Sequence, residues 1–381
     1  MNTPDEEQVD AGAGGQGAQG RRRVLEVSGS AAGGVRAHLG QCARLLSEAG
    51  HDVIVEAPAA VLTGLELGAA RAEALELGPR PGVGDLLVLA RLRRLGQRAE
   101  VVHAHGLRAG AAAALALGRK GSGRTRLVVT LHNLPVGGRF TRWIGQCLHR
   151  LVCSHADLVL AVSPDLAEQA QAAGCPQVEL AVVPAPQRAQ LAPGDAGLST
   201  AWPAHTIRLL TVARLAPQKG LDLLLDTAAI LAQEVEAGRL PAWCWVVAGE
   251  GPGREAAQAR IDTEHLAVRL LGRREDAPAL MTQADLVVQT SLWEGQPLTI
   301  QEALQAEAAV LATDVGGTAH TARGAAALVP AEAAKLAAEV CRLLTTPGTL
   351  DGLRARSRQA AQDLPGVAQL QAQLTAALRL S

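Results

Sequence analysis

The sequence predicts an α/β protein made of two Rossmann-like domains, each with a parallel sheet that faces a central cleft. Short apolar runs typical of buried strands alternate with longer amphipathic stretches typical of helices, beginning at Arg23. A stretch rich in Ala, Pro and Gly at 186–205 interrupts this alternation, and a fresh apolar run begins at Ile207. The 381 residues, 48% of them hydrophobic, are enough for two separate cores.

We therefore expect five segments along the chain. Residues 1–20 are polar and Gly-rich, so we predict that they are disordered. A first domain then covers 21–185, a linker covers 186–205 and a second domain covers 206–360. Helical residues at 361–381 end the chain.

Composition excludes several classes of protein. Lys and Arg number 36 against 37 Asp and Glu, so no overall positive charge favours nucleic acid. Residues 21–205 are the basic part, with 20 basic and 14 acidic side chains. The six cysteines form no Cys-x-x-Cys pair, and we interpret them as small buried hydrophobic residues in a reducing compartment. No apolar run reaches the length of about 18 residues that a membrane span needs, so we expect a cytoplasmic protein.

The first domain opens with a strand, a glycine-containing turn and a helix. Arg23–Val27 is the predicted strand, the helix runs from about Val35 to Gly50, and His51–Val55 is the second strand. Gly33 and Gly34 lie in the turn between the first strand and the helix. Paired glycines at the carboxyl end of a strand let the backbone approach a ligand closely, although a turn that merely needs small residues is the alternative.

Histidines end the next two predicted strands of this domain. Glu100–His105 ends in His-x-His, for which a zinc site is an alternative that would need further ligands. Arg126–His132 ends in a single histidine. Ligands of open α/β sheets gather outside the carboxyl ends of the strands, so His132 is a candidate site residue.

A basic amphipathic helix is predicted over 139–150. Its apolar residues have the spacing of a core stripe, which we expect to contain Phe140, Trp143, Ile144, Cys147, Leu148 and Leu151. The alternative is peripheral contact of residues 139–151 with an anionic membrane, because arginines are interleaved with the aromatic residues.

In the second domain, two cations follow the strand Ile207–Val212. Arg214 and Lys219 flank a proline-containing loop at the carboxyl end of this strand, where they could clamp a diphosphate. The strand that begins at Trp243 leads into a Gly-rich turn with Gly249 and Gly251.

The stretch Ser291–Glu302 follows another buried strand and runs into a helix. Pro297 suits the first helical position, so the amides of Leu298, Thr299 and Ile300 should point out of the helix N-terminus, which favours phosphate. Glu294 and Glu302 lie eight positions apart, one on each side of the bound anion. An ordinary strand-loop-helix with two solvated glutamates is the alternative.

Two of these motifs carry a resemblance to a known family. Glu294-Gly-Gln-Pro-Leu with Glu302, and Arg214-Leu-Ala-Pro-Gln-Lys219-Gly, resemble the signatures of retaining glycosyltransferases of the GT-B fold, family 4. Weaker similarities follow in the expected order: Gly33-Gly34, the His-x-His strand end, Thr-x-His at His132, and Gly-x-Gly-Pro at Gly249 and Gly251. The similarity spans nearly the whole chain from Arg23.

The resemblance implies an activity and a role for each motif residue. It implies transfer of a sugar from a nucleotide-sugar to an acceptor with retention of the anomeric configuration, without a metal or another cofactor. Arg214 and Lys219 would neutralise the leaving diphosphate and Glu294 would hold the sugar. The remaining roles fall to His132 near the reacting carbon, Glu302 at the ribose, and the donor-binding residues Gly33, Gly34, Gly249, Gly251, Leu298 and Thr299.

The resemblance also implies partners and a location. The acceptor would be a carbohydrate or a lipid-linked molecule, the last helix would cross back to the first domain, and the protein would be cytoplasmic, with peripheral contact to the inner membrane face as an option. Three positions depart from the family pattern: Ala185, Glu307, which would extend a helix by a turn, and His320. They leave open the alternative of a degenerate protein that binds a sugar nucleotide without catalysis. The other alternative is a nucleotide-sugar epimerase or phosphorylase on the same fold.

Overall fold

The computed structural model describes residues 20–31, 33–78, 82, 84–118, 125–133, 139–185 and 201–380, with the side chains of 139–142 left out. Residues 1–19 of the segment 1–20, which we predict to be disordered, lie outside the described residues. Most of the predicted linker also lies outside them. So does the side chain of Phe140.

The first domain is built on a seven-stranded sheet in which every neighbouring pair of strands is parallel. Its order is β3-β2-β1-β4-β5-β6-β7. The strands are β1 (Arg23–Ser28), β2 (Asp52–Ala57), β3 (Arg71–Ala74), β4 (Val101–His105), β5 (Arg126–Leu131), β6 (Leu158–Ala161) and β7 (Val178–Leu180). Its helices are α1 (Gly34–Glu48), α2 (Ala59–Leu62), α3 (Asp85–Gly96), α4 (Leu107–Leu117), α5 (Arg139–His155) and α6 (Pro164–Ala172).

The second domain repeats the architecture around a six-stranded parallel sheet of order β10-β9-β8-β11-β12-β13. The strands are β8 (Ile207–Val212), β9 (Trp243–Ala248), β10 (Val268–Gly272), β11 (Leu286–Gln289), β12 (Val310–Thr313) and β13 (Ala327–Val329). The helices are α7 (Leu221–Glu236), α8 (Arg254–Thr263), α9 (Ala277–Gln283), α10 (Leu298–Gln305), α11 (Thr318–Ala322), α12 (Ala333–Thr345) and α13 (Thr349–Gln362).

The last helix, α14 (Val367–Leu378), packs on the first domain although it follows the second in sequence. Leu370, Leu374 and Leu378 are buried in the core of the first domain. Their spacing of four residues places them on one face of the helix. The first domain therefore includes a helix from the far end of the chain.

Three glutamines tie the segment 180–185, which leaves the first domain, to its neighbours. Gln373 of α14 accepts a hydrogen bond from the Val182 amide at 2.7 Å. Gln301 of α10 accepts from the Ala185 amide at 3.0 Å and donates to the Val183 carbonyl at 2.9 Å. Gln296 accepts from the Val183 amide at 3.1 Å. These side chains replace the strand partner that an irregular segment lacks, so its buried backbone groups stay paired.

Three predictions about local structure are wrong. Trp143 is 59% exposed and Cys147 is exposed, so the predicted core stripe of α5 fails at both positions and Cys147 is no buried hydrophobic residue. Glu307 does not extend α10, because it adopts φ 54° just after that helix ends. The amides of Glu307 and Ala308 bond back to the carbonyls of Leu304 and Ala303, which closes the helix with a left-handed residue.

Candidate active site

A cavity of about 240 Å³ lies between the two domains, and both domains line it. Eight of the eleven residues predicted from sequence are part of its wall. The first domain contributes Gly33, Gly34 and His132, and the second contributes Arg214, Lys219, Glu294, Leu298 and Thr299. These residues come from separate stretches of chain in both domains, so the fold brings the predicted site together.

The two domains lie close together at Gly295. A Cβ atom at this position would lie 2.5 Å from Cγ2 of Val162 and 3.3 Å from the carbonyl oxygen of His132, both in the first domain. Only glycine fits there without movement of the surrounding atoms. The loop that carries Glu294 is thereby held against the loop that carries His132.

The N-terminus of α10 opens into the cavity, one residue later than predicted. Pro297 is the N-cap and Leu298 is the first helical residue. The Ile300 amide donates to the Pro297 carbonyl at 3.0 Å, so the expectation that it faces a ligand is wrong. Among the described residues no backbone group accepts from the amides of Leu298 or Thr299. These two donors remain for an anion at the positive end of the helix.

Lys219 and Glu294 form an ion pair at the cavity wall. Nζ of Lys219 lies 2.5 Å from Oε1 of Glu294, and the Ser291 hydroxyl donates to the same oxygen at 2.6 Å. Glu294 is 5% exposed, so its carboxylate depends on these two donors. In this structure Lys219 and Glu294 therefore bind each other.

Gly249 and Gly251 pack behind Arg214 and do not line the cavity. A Cβ atom at Gly249 would collide with the Ala213 carbonyl oxygen, and one at Gly251 would lie 2.5 Å from the Leu215 carbonyl oxygen. The glycine-rich turn thus fits against the backbone on both sides of Arg214. Its visible effect is to place that arginine, and its predicted contact with the donor stays a prediction.

Glu302 lies in the second turn of α10, half-buried and outside the residues that line the cavity. Its predicted contact with a ribose also stays a prediction. Sequence reasoning missed several residues of the wall, which include Asn133, Val162, Val183, Gln218 and Gln296. Val183 lies in the segment of Ala185, which departs from the family pattern, and it nevertheless lines the cavity. Gln218 and Gln296 lie inside the recognised motifs, which was the available signal.

A buried group of polar side chains lies behind His132. Glu26 of β1 is the register partner of His103 on β4, and His105 is the partner of Thr130 on β5. Since alternate residues of a strand share a face, all four side chains lie on one side of the sheet. His103 bonds Glu26 at 3.1 Å and Thr130 at 2.8 Å, while His105 bonds Glu26 at 2.6 Å.

Burial and mutual interactions shift the pKa values in this group. Burial alone would raise the pKa of Glu26, but its interactions with His103 and His105 outweigh burial and lower that pKa to about 2. Burial, and then the charges of nearby histidines, lower the pKa of His105, and they hold the pKa values of His38 and His132 well below the ordinary range. Glu26 is therefore a carboxylate at neutral pH, and His38, His105 and His132 are neutral.

A zinc site at His-x-His, the alternative interpretation of this strand end, would use residues of the same group. The third candidate ligand is Cys42, which sequence reasoning did not name; its sulfur and nitrogens of His103 and His105 lie within 4.8 Å of one another. Burial and Glu26 hold the pKa of the Cys42 thiol well above its usual range, so Cys42 is a neutral thiol in the metal-free protein. Both rings already bond Glu26 at hydrogen-bond distance. The arrangement fits a hydrogen-bond network better than a metal centre.

Family models match both halves of the chain. Residues 206–346 match the family described as glycosyl transferases group 1, and residues 33–186 match a glycosyl transferase 4-like domain. The two matches do not overlap and together cover more than half of the chain. The chain belongs to the group 1 glycosyltransferases. The resemblance seen in its motifs is confirmed at this level.

Two solved structures share the fold over most of this chain. HepE of Anabaena, solved with UDP and glucose, is 19% identical with a TM-score of 0.71 and covers 94% of this chain and 100% of its own. Sucrose-phosphate synthase of Thermosynechococcus elongatus is 19% identical with a TM-score of 0.72 and covers 94% and 98%. The predicted GT-B fold is confirmed.

Two curated relatives match a shorter part. One is a component of the human phosphatidylinositol N-acetylglucosaminyltransferase, which is 34% identical over 117 residues, or 29% of this chain and 23% of the relative. The other is the UDP-Gal:alpha-D-GlcNAc-diphosphoundecaprenol alpha-1,3-galactosyltransferase of Escherichia coli, which is 31% identical over 109 residues, or 28% and 27%. The match thus spans about a quarter of each relative. Within the described residues, no helix combines the length and the apolar character that crossing a bilayer requires.

Proposed function

We propose that this glycosyltransferase moves a sugar from a nucleotide-diphospho-sugar to an acceptor. The observation that carries the proposal is the convergence of Arg214, Lys219 and the N-terminus of α10 on one cavity between the domains. Two cations and two free amides at that point suit a diphosphate. The main barrier to transfer is departure of this diphosphate, and all these groups stabilise the negative charge that develops on it.

Each site residue has a proposed role. Glu294 accepts hydrogen bonds from the hydroxyls of the donor sugar, once the donor competes with Lys219 for it. His132 faces the sugar from the first domain, and Glu302 binds the ribose. Leu298 and Thr299 bind the diphosphate through their amides, Gly33 and Gly34 let backbone approach it, and Gly249 and Gly251 complete the donor side.

We also propose a retaining reaction that needs no metal. Retention follows the family whose signature the motifs resemble, and the protein cations Arg214 and Lys219 take the part that a metal plays elsewhere. Proton NMR of the fresh product would give its anomeric configuration, and an inverted product would rule out retention. Turnover that disappears with EDTA and returns with a divalent cation would rule out metal independence.

The proposed acceptor is a lipid-linked glycan at a membrane surface. Leu86 and Leu87 at the start of α3 are 72% and 79% exposed, and Trp143 near the start of α5 is 59% exposed. Helices α3, α4 and α5 pack side by side, and α3 and α5 begin at the carboxyl edge of the sheet, where the cavity lies. The names of both curated relatives contain a lipid, phosphatidylinositol and diphosphoundecaprenol.

This surface supports the proposal of a cytoplasmic protein in peripheral contact with the inner membrane face. Exposed apolar side chains on a basic domain suit an anionic lipid surface. Sedimentation with vesicles containing anionic lipid should decrease in a variant with Leu86→Ser, Leu87→Ser and Trp143→Ser. Equal sedimentation of the variant and the wild type would reject this surface.

A panel of nucleotide-sugars in a thermal-shift assay tests the donor site, since a ligand that binds the native state raises its apparent stability. We expect a shift with one donor that is lost in Glu302→Ala and Lys219→Ala. No shift with any donor would reject the donor site. Binding without turnover across many acceptors would favour a protein that only binds the sugar nucleotide, to which the departures at Ala185 and His320 point.

A further inference from the structure

The buried network behind His132 carries a further inference, which rests on the proposed function. His132 lines the cavity, and its Nε2 lies 3.4 Å from Nδ1 of His105. Nε2 of His105 lies 2.6 Å from Oε2 of Glu26. An unbroken chain of contacts therefore runs from a fully buried carboxylate on β1 to an imidazole in the wall of the cleft.

Along these contacts, the protons have only one consistent arrangement when the rings of His105 and His132 are neutral. An ionised carboxylate only accepts hydrogen bonds, so Nε2 of His105 carries a proton and donates it to Glu26. A neutral imidazole has one proton, which leaves a lone pair on Nδ1 of His105. Nε2 of His132 must then carry a proton and donate it to Nδ1 of His105. The lone pair of His132 is left on Nδ1.

Nδ1 of His132 is the nitrogen available to a ligand. Within the described part of the chain this nitrogen has no hydrogen-bond partner. It is also not fully enclosed by the protein, so a ligand can reach it. His132 belongs to the cavity wall. A lone pair attracts a hydroxyl hydrogen and repels the oxygens of a phosphate, which also carry only lone pairs.

We propose that Glu26 and His105 are positioning residues that fix His132 as the Nε2–H tautomer, so that Nδ1 accepts a hydrogen bond from a hydroxyl of the bound sugar. The surrounding rings support this assignment. The planes of His105 and His132 are nearly parallel, at 17° and 5.6 Å between centroids, and the His38 ring stands at 70° to both. Packing on two sides leaves the His132 ring little freedom to turn.

His103, the other histidine that contacts Glu26, holds the Glu26 carboxylate in place. His103 bonds Glu26 through Nδ1 and the Thr130 hydroxyl through Nε2. Sγ of Cys42 lies 3.6 Å from Nε2 of His38, beside the same group of side chains. Glu26 therefore has two imidazole partners, of which only His105 continues to the cleft.

Nitrogen-15 NMR of the imidazole rings tests the tautomer without any donor. The chain has ten histidines, so His132→Gln is used to assign the His132 signals by difference. At pH 7.5 we expect a proton on Nε2 of His132 and none on Nδ1. Glu26→Gln should produce a mixture of tautomers, because an amide can both donate and accept, and Glu26→Asp should keep the single tautomer. A proton on Nδ1 in the wild type, or an unchanged spectrum in Glu26→Gln, would overturn the inference.

Steady-state kinetics with the donor found in the thermal-shift panel test the consequence. We expect Glu26→Gln to lower kcat by about twofold to tenfold, in proportion to the fraction of His132 that leaves the Nε2–H tautomer, with the donor KM within about twofold of wild type and partial recovery in Glu26→Asp. The matched control is Glu56→Gln, which removes another fully buried carboxylate from the same sheet, where Glu56 pairs with Arg91. Equal kcat values in Glu26→Gln and Glu56→Gln would overturn the positioning role. A wild type that turns over no donor would reject the proposed function, while the NMR result would still decide the tautomer.

Discussion

Nζ of Lys219 and Oε1 of Glu294 lie 2.5 Å apart, although 75 positions of sequence separate the two residues. Lys219 ends the short 3-10 turn Pro217–Lys219, and Glu294 lies in the loop before α10. The contact satisfies a nearly buried carboxylate and holds the lysine at the cavity wall. In the proposed reaction a bound donor replaces this ion pair. Its phosphate oxygens contact Lys219 and its sugar hydroxyls contact Glu294.

Replacing Lys219 should weaken binding of the diphosphate. A charge-assisted hydrogen bond contributes about 1.5–3 kcal/mol, so Lys219→Met should raise the Kd for the nucleoside diphosphate about tenfold to hundredfold. Isothermal titration with the nucleoside diphosphate of the preferred donor measures this directly. Among the described residues, Lys219→Met also leaves the Glu294 side chain with the Ser291 hydroxyl as its one donor, so we expect lower stability as well.

Lys335 provides the matched control, because it is an exposed lysine on α12 of the same domain. Lys335→Met should bind the nucleoside diphosphate as the wild type does. Similar Kd values for the two variants would show that Lys219 does not contact the diphosphate.

The sequence predicted much of the site because its motifs are local. Arg214 to Lys219 and Glu294 to Leu298 each lie within a single loop, and a loop at the carboxyl end of a strand must face the cleft. The network behind His132 was not predicted, because Glu26 meets His103 and His105 only through the pairing of β1 with β4. A lone glutamate in an apolar strand gives no signal of its partners.

Two errors have a local cause. The spacing of α5 predicts an apolar stripe, but spacing does not tell whether a neighbouring element covers it, and Trp143 is left exposed. At Glu307 the departure from the family pattern suggested a longer helix. The helix α10 ends before Glu307, which takes the left-handed conformation while its amide and that of Ala308 bond back to the last turn.

Glu307→Gly should stabilise the protein. A residue with a Cβ atom in the left-handed conformation costs about 1–2 kcal/mol, and glycine adopts it freely. The substitution also removes an exposed ion pair with Arg358, which contributes about 0–1 kcal/mol. We expect the free energy of unfolding in urea to rise by about 0.5–1 kcal/mol.

Arg358→Ala separates the two effects, since it removes the ion pair and keeps the strained residue. It should change the free energy of unfolding by less than about 0.5 kcal/mol. A loss of stability in Glu307→Gly would mean that the left-handed conformation is not strained in this chain.

The buried histidines should make stability depend on pH between 6.5 and 4.5. The pKa values of His38, His105 and His132 are lowered in the folded protein, so the unfolded chain takes up their protons first as the pH falls through 6.5. Each such proton favours unfolding by up to about 1.4 kcal/mol per pH unit. The contribution of Glu26, whose folded pKa is about 2, is fully present above 4.5 and disappears only below that window.

Urea unfolding at pH 8, 7, 6 and 5 measures this slope. We expect nearly constant stability from pH 8 to 7 and a steep decrease below 6.5. His38→Leu should flatten the decrease, because it removes one of the buried histidines whose pKa is lowered in the folded protein. Equal stability of the wild type at pH 7 and pH 5 would contradict buried neutral imidazoles.

Gln301 should be the most sensitive of the glutamines that hold the segment 180–185. Its side chain is 1% exposed, accepts from the Ala185 amide and donates to the Val183 carbonyl. Gln301→Leu keeps the approximate volume but leaves a buried donor and a buried acceptor unpaired, at a cost of about 1–3 kcal/mol each. We expect the free energy of unfolding to fall by about 2–4 kcal/mol, and hydrogen exchange at the Ala185 amide to accelerate.

Gln305→Leu is the matched control, because Gln305 is exposed at the end of the same helix and its replacement should change stability by less than about 0.5 kcal/mol. If the two variants are equally stable and Ala185 exchanges at the same rate in both, Gln301 does not hold the segment.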